Sequence, residues 1–388
     1  MVDTPSYVFD IDVFRERIRR TKEALPNMPL TFSIKANPFL LVDVPDDISH
    51  VEVCSPGELE ICQYYNVPGT KIIYSGVNKE LSDITEAVSY SGCGVDIVTA
   101  ESKLHVELEQ KAANSFGIQQ KVLLRLTSGN QFGMSPEDVL SVLGRRSEYP
   151  NLEFIGIHYY SGTQKKDKQV KKDLDRLDSF LIKASAELGW EPKMVEYGPG
   201  LAEDYFNPPY DESDYQLLMS VAPEIISFSK IYSLGIEMGR FLASSCGTYY
   251  TSVMDIKSND DVNYIICDGG IHQIKYHGQT MAMQVPPIDV FRDGQLLYEN
   301  HSIIDESVDY CLCGSLCTVA DVLVREVSLP ELKIGDVLSF GRCGAYSVTE
   351  GSSLFLSRKM PKVYICDKIN GVRLLRDFLD SSSINRGM

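Results

Sequence analysis

The chain has 388 residues, enough for two domains with full hydrophobic cores. Hydrophobic residues make up 44% and charged residues 23%, the balance of a soluble globular protein, and 54 acidic against 37 basic residues leave a net charge of −17. That charge argues against a nucleic-acid backbone or an anionic membrane as partner. No apolar run approaches a membrane span, and the opening MVDTPSYVFDIDVFRERIRR has no apolar stretch behind a basic start, so a cytoplasmic location is expected.

In chain order, SYVFDID reads as a strand and FRERIRRTKEAL as a helix. From residue 28 to 240, eight short apolar strands follow: LTFSIK, HVEVC, IIYSG, VDIVT, VLLRL, FIGIHYY, MVEYG and LGIEMG. Between them lie helical stretches such as SPGELEICQYY, KELSDITEAVSY, SPEDVLSVLG and KKDLDRLDSFLIKASAEL, several opening with Ser or Asp and an acidic residue soon after, as helix N-termini do. Eight βα units in this span fit a (β/α)8 barrel, although alternation alone fits a doubly wound open sheet as well. After residue 245 the pattern turns to strands: TYYTSVMDIKS, VNYIICDGG, LCTVADVLVREVSL, DVLSFGRCGAY and KVYICDK. The expected division is a barrel over 27–245 and a mainly β domain built from 1–26 and 246–388, with SYVFDID joining the β domain.

Lys35 closes the first barrel strand just before Ala36, Asn37 and Pro38, where a strand must stop. Desolvation beside a hydrophobic wall favours the neutral amine of a lysine, the form that builds a Schiff base. Taken alone, Lys35 is more simply a surface lysine, and the case for it comes from its context. The ten cysteines lack the spacing of a disulfide framework and read as reduced thiols. Cys311, Cys313 and Cys317 cluster as C-x-C and C-x3-C with no second pair and no nearby histidine, so no metal site is expected.

Five segments recur in a meaningful order: Ser33-Ile34-Lys35-Ala36-Asn37, Ser55-Pro56-Gly57-Glu58-Leu59, Glu237-Met238-Gly239-Arg240, Cys317-Thr318-Val319-Ala320-Asp321 and Gly344-Ala345-Tyr346. On these, the chain resembles the fold-type III pyridoxal-phosphate decarboxylases, the diaminopimelate and ornithine decarboxylase group, nearly end to end. The resemblance implies an alanine-racemase-like (β/α)8 TIM barrel with a C-terminal β domain, pyridoxal 5′-phosphate as cofactor, and a homodimer with shared active sites. It implies that Lys35 holds the cofactor covalently and that Glu237 faces the pyridine nitrogen. Gly198, Gly200, Gly239 and Arg240, with the Thr163 hydroxyl and the Tyr346 phenol, would surround the phosphate. Loops after the seventh and eighth strands are where barrels often bind phosphate. Glu52 maps to an acidic residue near the lysine and Arg125 to a basic residue beneath the cofactor; a barrel-floor salt bridge between these two explains them nearly as well. Cys317 maps to the cysteine that a partner subunit contributes to protonate the product, the other reading being a buried apolar thiol. Cys317, Thr318 and Tyr346 would contact substrate.

Four positions depart from the family. In Gly156-Ile157-His158-Tyr159-Tyr160-Ser161-Gly162-Thr163, Tyr160 stands where the family stacks a histidine on the cofactor ring. A phenol still offers an aromatic face. Met238 replaces a proline, and Pro199 replaces the middle of three glycines and removes one backbone N–H. Thr318 stands where diaminopimelate decarboxylases carry Glu and ornithine decarboxylases Asp, carboxylates that pair with a distal ammonium. With Ser161-Gly162-Thr163-Gln164, this is similar to decarboxylases of siderophore or antibiotic pathways, whose amino acids are joined at the far end to citrate or to a carrier protein. The expected function is therefore α-decarboxylation of such a modified amino acid. The alternatives are diaminopimelate decarboxylation, an amino-acid racemase, and a non-catalytic cofactor-binding or antizyme-inhibitor-like protein.

Overall fold

The computed structural model describes residues 2–304 and 306–386. They form two compact units, one of residues 17–203 with 212–242, the other of residues up to 16, 204–211 and from 243 onward.

In the first unit, strands β2 (Leu30–Ser33), β3 (His50–Val53), β4 (Ile72–Tyr74), β5 (Ile97–Ala100), β6 (Gln120–Arg125), β7 (Leu152–Tyr160), β8 (Met194–Gly198) and β9 (Leu234–Met238) pair in order as neighbours, each pair parallel. β9 returns to β2, with Leu30 opposite Ile236 and Thr31 opposite Glu237, so the sheet is a closed barrel and not an open one. The strands can be this short and this apolar because both faces are covered. Ile73, Ile97, Leu123 and Ile155 pack together from four successive strands with Met194 against them. Burying each contributes about 1.5–3 kcal/mol. Gly156 is required in this layer, since a Cβ there would fall 1.8 Å from the Met194 carbonyl oxygen.

Helices α2 (Pro56–Tyr64), α3 (Leu81–Ser89), α4 (Lys103–Phe116), α5 (Pro136–Gly144), α6 (Asp167–Leu188) and α7 (Asp211–Ser229) alternate with the strands, after α1 (Ile11–Ala24). The serines seen at their starts act as caps: Ser55, Ser102 and Ser135 accept from the backbone N–H three residues on.

One strand is shorter than its sequence suggests. β2 stops at Ser33, and Ile34–Ala36 forms a single 3-10 turn. Asn37 then caps a second 3-10 turn, its side chain accepting from Phe39 N–H at 3.1 Å. Lys35 therefore lies beyond the strand, on a turn.

The second unit is a ten-stranded sheet. β1 (Ser6–Asp10) sits inside it, antiparallel to β10 (Gly247–Asn259) and parallel to β17 (Lys362–Asp367). β11 (Val262–Cys267), β14 (Val308–Cys313) and β15 (Val322–Leu329) branch from β10, while β16 (Val337–Phe340), β12 (Ile288–Arg292) and β13 (Gln295–Tyr298) extend one edge and β18 (Gly371–Arg376) the other. LCTVADVLVREVSL is strand only from Val322; its first six residues, with Ser315 before them, are a turn between β14 and β15.

Candidate active site

Lys35 Nζ lies 3.0 Å from Glu52 Oε2, 3.4 Å from Glu52 Oε1 and 3.5 Å from Cys54 Sγ. Glu52 also accepts from the Ser33 hydroxyl and, at 3.0 Å, from the Cys54 thiol. Burial raises the Glu52 carboxyl, but Lys35, these hydrogen bonds and His158 outweigh it and hold the group well below the usual carboxylate range. Lys35 is thus not stripped of water against an apolar wall. Its side chain keeps 39% of its exposure and an ionised partner. The alternative reading of Glu52 and Arg125 as a salt bridge with each other does not hold, because each has its own partner. Arg125 binds Glu101 Oε1, Glu101 Oε2 accepts from Gly133 N–H at 2.9 Å, and the guanidinium lies 4.8 Å above the Phe132 ring.

Glu237, on β9, places Oε2 3.1 Å from His158 Nε2 on β7. Both side chains are buried. Two residues along β7, Tyr160 stands opposite Gly198 of β8, and a Cβ at Gly198 would lie 2.7 Å from the Tyr160 ring. Gly198 is glycine because the phenol covers it. Burial raises the Tyr160 hydroxyl; Lys35, Arg240 and a bond to Thr163 work against this, while Glu237 reinforces it. Lys35, Glu237, Arg240 and Thr163 thus all act on the Tyr160 hydroxyl.

Gly200, at φ +54°, would carry a Cβ 2.0 Å from the Gly162 carbonyl oxygen, so the 161–165 and 198–202 loops touch there. Gly162, at φ +127°, has open space on its Cβ side. At Gly239 a Cβ would meet Ala36 Cβ at 3.0 Å and Ser33 O at 3.1 Å, which brings this glycine, just before Arg240, against the turn that holds Lys35.

Cys317, Thr318 and Tyr346 belong to the second unit. Cys317 is exposed, so the buried-thiol reading is overturned. The turn that presents it is built on Asp321, whose Oδ1 accepts from Ile271 N–H at 2.8 Å and Oδ2 from Leu316 N–H at 2.7 Å. A Cβ at Gly314 would lie 2.4 Å from Asp321 Oδ2, and one at Gly270 2.7 Å from either carboxylate oxygen. Val319 is fully exposed at its tip. Tyr346 adopts φ +65° and its carbonyl accepts from Thr349 and Glu350 N–H, both at 2.9 Å.

Sequence reasoning missed Cys54, Glu101, Lys165 and Glu196. Cys54 was within reach of it, since the run HVEVC reads as one strand and alternation would set Glu52 and Cys54, two apart, on the same side. Glu101 and Lys165 depend on which loops the barrel brings together.

The residues fit pyridoxal phosphate. They provide a lysine beside a carboxylate, a buried carboxylate against an imidazole, an aromatic face and a set of glycines at the ends of β8 and β9. His158 Nδ1 is buried without a hydrogen-bond partner, so this imidazole presents only its Nε2 to Glu237. Residues 11–244 match the pyridoxal-binding domain of the pyridoxal-dependent decarboxylases, and the chain belongs to that family. It is a pyridoxal-phosphate-dependent carboxy-lyase acting on amino acids. A relative from Staphylococcus aureus, 2-[(L-alanin-3-ylcarbamoyl)methyl]-2-hydroxybutanedioate decarboxylase, is 25% identical over 92% of each chain. The diaminopimelate decarboxylase of Actinosynnema pretiosum is 27% identical over 96% of this chain and 86% of its own. In fold, diaminopimelate decarboxylase from Helicobacter pylori complexed with L-lysine matches with a TM-score of 0.84 at 20% identity, covering 100% of this chain and 97% of that one.

Proposed function

We propose that the chain removes the α-carboxylate of an amino acid whose far end is amide-linked, a citryl amide being the preferred case and a carrier-linked amino acid the variant. The observation that carries this is Thr318. It follows Cys317 on the exposed turn and offers a hydroxyl where a free distal ammonium would call for a carboxylate. The name of the staphylococcal relative's substrate supports the same chemistry: an alanine joined through C3 by a carbamoyl group to a hydroxylated polycarboxylate.

The barrel domain, 27–245, would hold the cofactor, and the β domain, 1–26 with 246–388, would lend Cys317 and Thr318 to a second copy in a homodimer. Lys35 Nζ is the amine that would attach the cofactor, with Glu52 beside it to hold or return the amine's proton. Glu237, oriented by His158, would keep the proton on the pyridine nitrogen. Tyr160 would lie along the ring, and Gly198, Gly200, Gly239, Arg240, Thr163 and Tyr346 would hold the phosphate, with Arg125 placed under the ring by Glu101. Bound there, pyridoxal phosphate supplies the electron sink for the pair that the Cα–carboxylate bond leaves behind. Cys317 Sγ would deliver a proton to Cα, so that R–CH(NH3+)–CO2− and one proton become R–CH2–NH3+ and CO2. The ten free cysteines support a reducing, cytoplasmic setting.

The test compares CO2 release from the citryl amide of 2,3-diaminopropionate with release from meso-diaminopimelate, in wild type and in Thr318→Glu. Wild type should favour the amide by about 100-fold or more in kcat/KM, because an unpaired ammonium in the site is costly. Thr318→Glu should narrow that ratio by about tenfold. Faster release from meso-diaminopimelate by wild type would make the chain a diaminopimelate decarboxylase.

A further inference from the structure

Lys165 is a buried lysine, and the charged residue beside it, Asp173, is buried as well. Its ammonium donates to Asp173 Oδ2 at 2.5 Å, to Ser161 Oγ at 2.9 Å and to the Gly198 carbonyl at 3.3 Å. Its own backbone joins the second loop as well: Lys165 N–H donates to Gly200 O at 2.9 Å, and Ala202 N–H to Lys165 O at 2.9 Å. The alkyl stem passes beneath Gly200, where a Cβ would lie 3.0 Å from Lys165 Cε. The ammonium is 5.7 Å from the Tyr160 ring centroid and 5.4 Å from that of Tyr197.

Asp173 anchors this arrangement from α6. Besides Lys165 it accepts from Ser161 Oγ–H at 2.7 Å and from Tyr197 O–H at 3.2 Å, all on Oδ2. The Lys165 side chain therefore touches the residue after β7, the end of β8 and, through Asp173, the helix between them. Burial pushes the ammonium down and Asp173 pushes it back up. The carboxylate also balances its charge, so what Lys165 contributes is geometry. That geometry matters because Pro199 removes the middle N–H of the 198–200 segment, and the remaining donors must be placed without it.

We propose that Lys165 is a positioning residue for the cofactor's phosphate. It fastens the 161–165 loop to the 198–202 loop so that Thr163 and the backbone N–H groups of Gly198 and Gly200 form one pre-set anion cradle. This rests on the reading that these loops receive the phosphate, and the test separates the two.

Apoprotein of wild type and of Lys165→Met is titrated with pyridoxal 5′-phosphate and with pyridoxal, following the visible absorbance of the lysine-bound ligand. Wild type should bind the phosphorylated ligand far more tightly. In Lys165→Met its Kd should rise about tenfold or more while that of pyridoxal changes less than about twofold. Equal losses for both ligands would mean a general structural role, and unchanged affinities would mean none; either overturns the proposal. Should Lys165→Met not fold, Ser161→Ala removes one of the three ammonium contacts and should show the same selectivity on a smaller scale; its absence there overturns the proposal. A wild-type protein with no preference for the phosphorylated ligand would instead remove the phosphate assignment itself.

Discussion

Glu52, 3.0 Å from the Lys35 ammonium, and Glu196, on β8, are two buried carboxyls pushed in opposite directions. Glu52 is held ionised by cationic and hydroxyl neighbours that outweigh its burial. Among the described residues no cation pairs with Glu196. Burial, with Glu237 and Glu52 adding to it and Thr31 opposing, raises it from 4.5 to about 8. Gly235 makes room for it, since a Cβ there would fall 2.1 Å from Glu196 Oε2. A pH dependence follows with a definite sign. Between the unfolded value of 4.5 and the folded value of about 8 the folded chain holds a proton that the unfolded chain has lost, so stability falls as pH rises through that window and levels off above it. Glu196→Gln keeps the shape and cannot titrate. Relative to wild type it should gain about 1 kcal/mol per pH unit between about pH 5 and about pH 8, read from denaturant unfolding at several pH values. Parallel pH profiles for the two proteins would show that Glu196 is ionised in the fold.

At the scale of elements, the turn between β14 and β15 shows why a motif ends in Asp. Asp321 holds two backbone N–H groups of neighbouring segments and needs glycine at 270 and 314 to fit. Asp321→Ala should leave both donors unsatisfied, costing about 1–3 kcal/mol each, and loosen the turn that carries Cys317. Thermal unfolding and the rate of Cys317 alkylation read the two effects, and an unchanged alkylation rate would mean the turn stands without Asp321. The eight barrel strands were legible in the sequence because each is a short buried run bounded by caps and glycines. The end of β2 was not, because Ile34 and Ala36 are as buried in a 3-10 turn as in a strand. The β12–β13 hairpin, turned by Asp293 at φ +51° and Gly294 at φ +80°, carried its Asp-Gly signal but is made of strands of only five and four residues. The candidate site residues could be named from motifs, Glu52 beside Lys35 among them, while Glu101, the partner of Arg125, could not. That pair is set by which strand ends and loops the closed barrel brings together, and that follows from register and not from spacing.

For the whole molecule, the residues proposed for the chemistry are divided between the two units. Lys35, Glu52, His158 and Glu237 lie in the barrel, and Cys317 and Thr318 lie on a turn of the β unit with a fully exposed Val319 at its tip. In the proposed homodimer, Cys317 of one copy serves the Lys35 of the other. Whether the two residues act on one reaction from two copies is read most directly by mixing. Lys35→Ala and Cys317→Ala proteins are purified separately, each with little CO2 release from the amide-linked substrate, then combined and allowed to exchange subunits. Random exchange makes half the dimers mixed, each with one intact site, so the mixture should recover about a quarter of the wild-type rate. A mixture no more active than its two components would contradict a shared site.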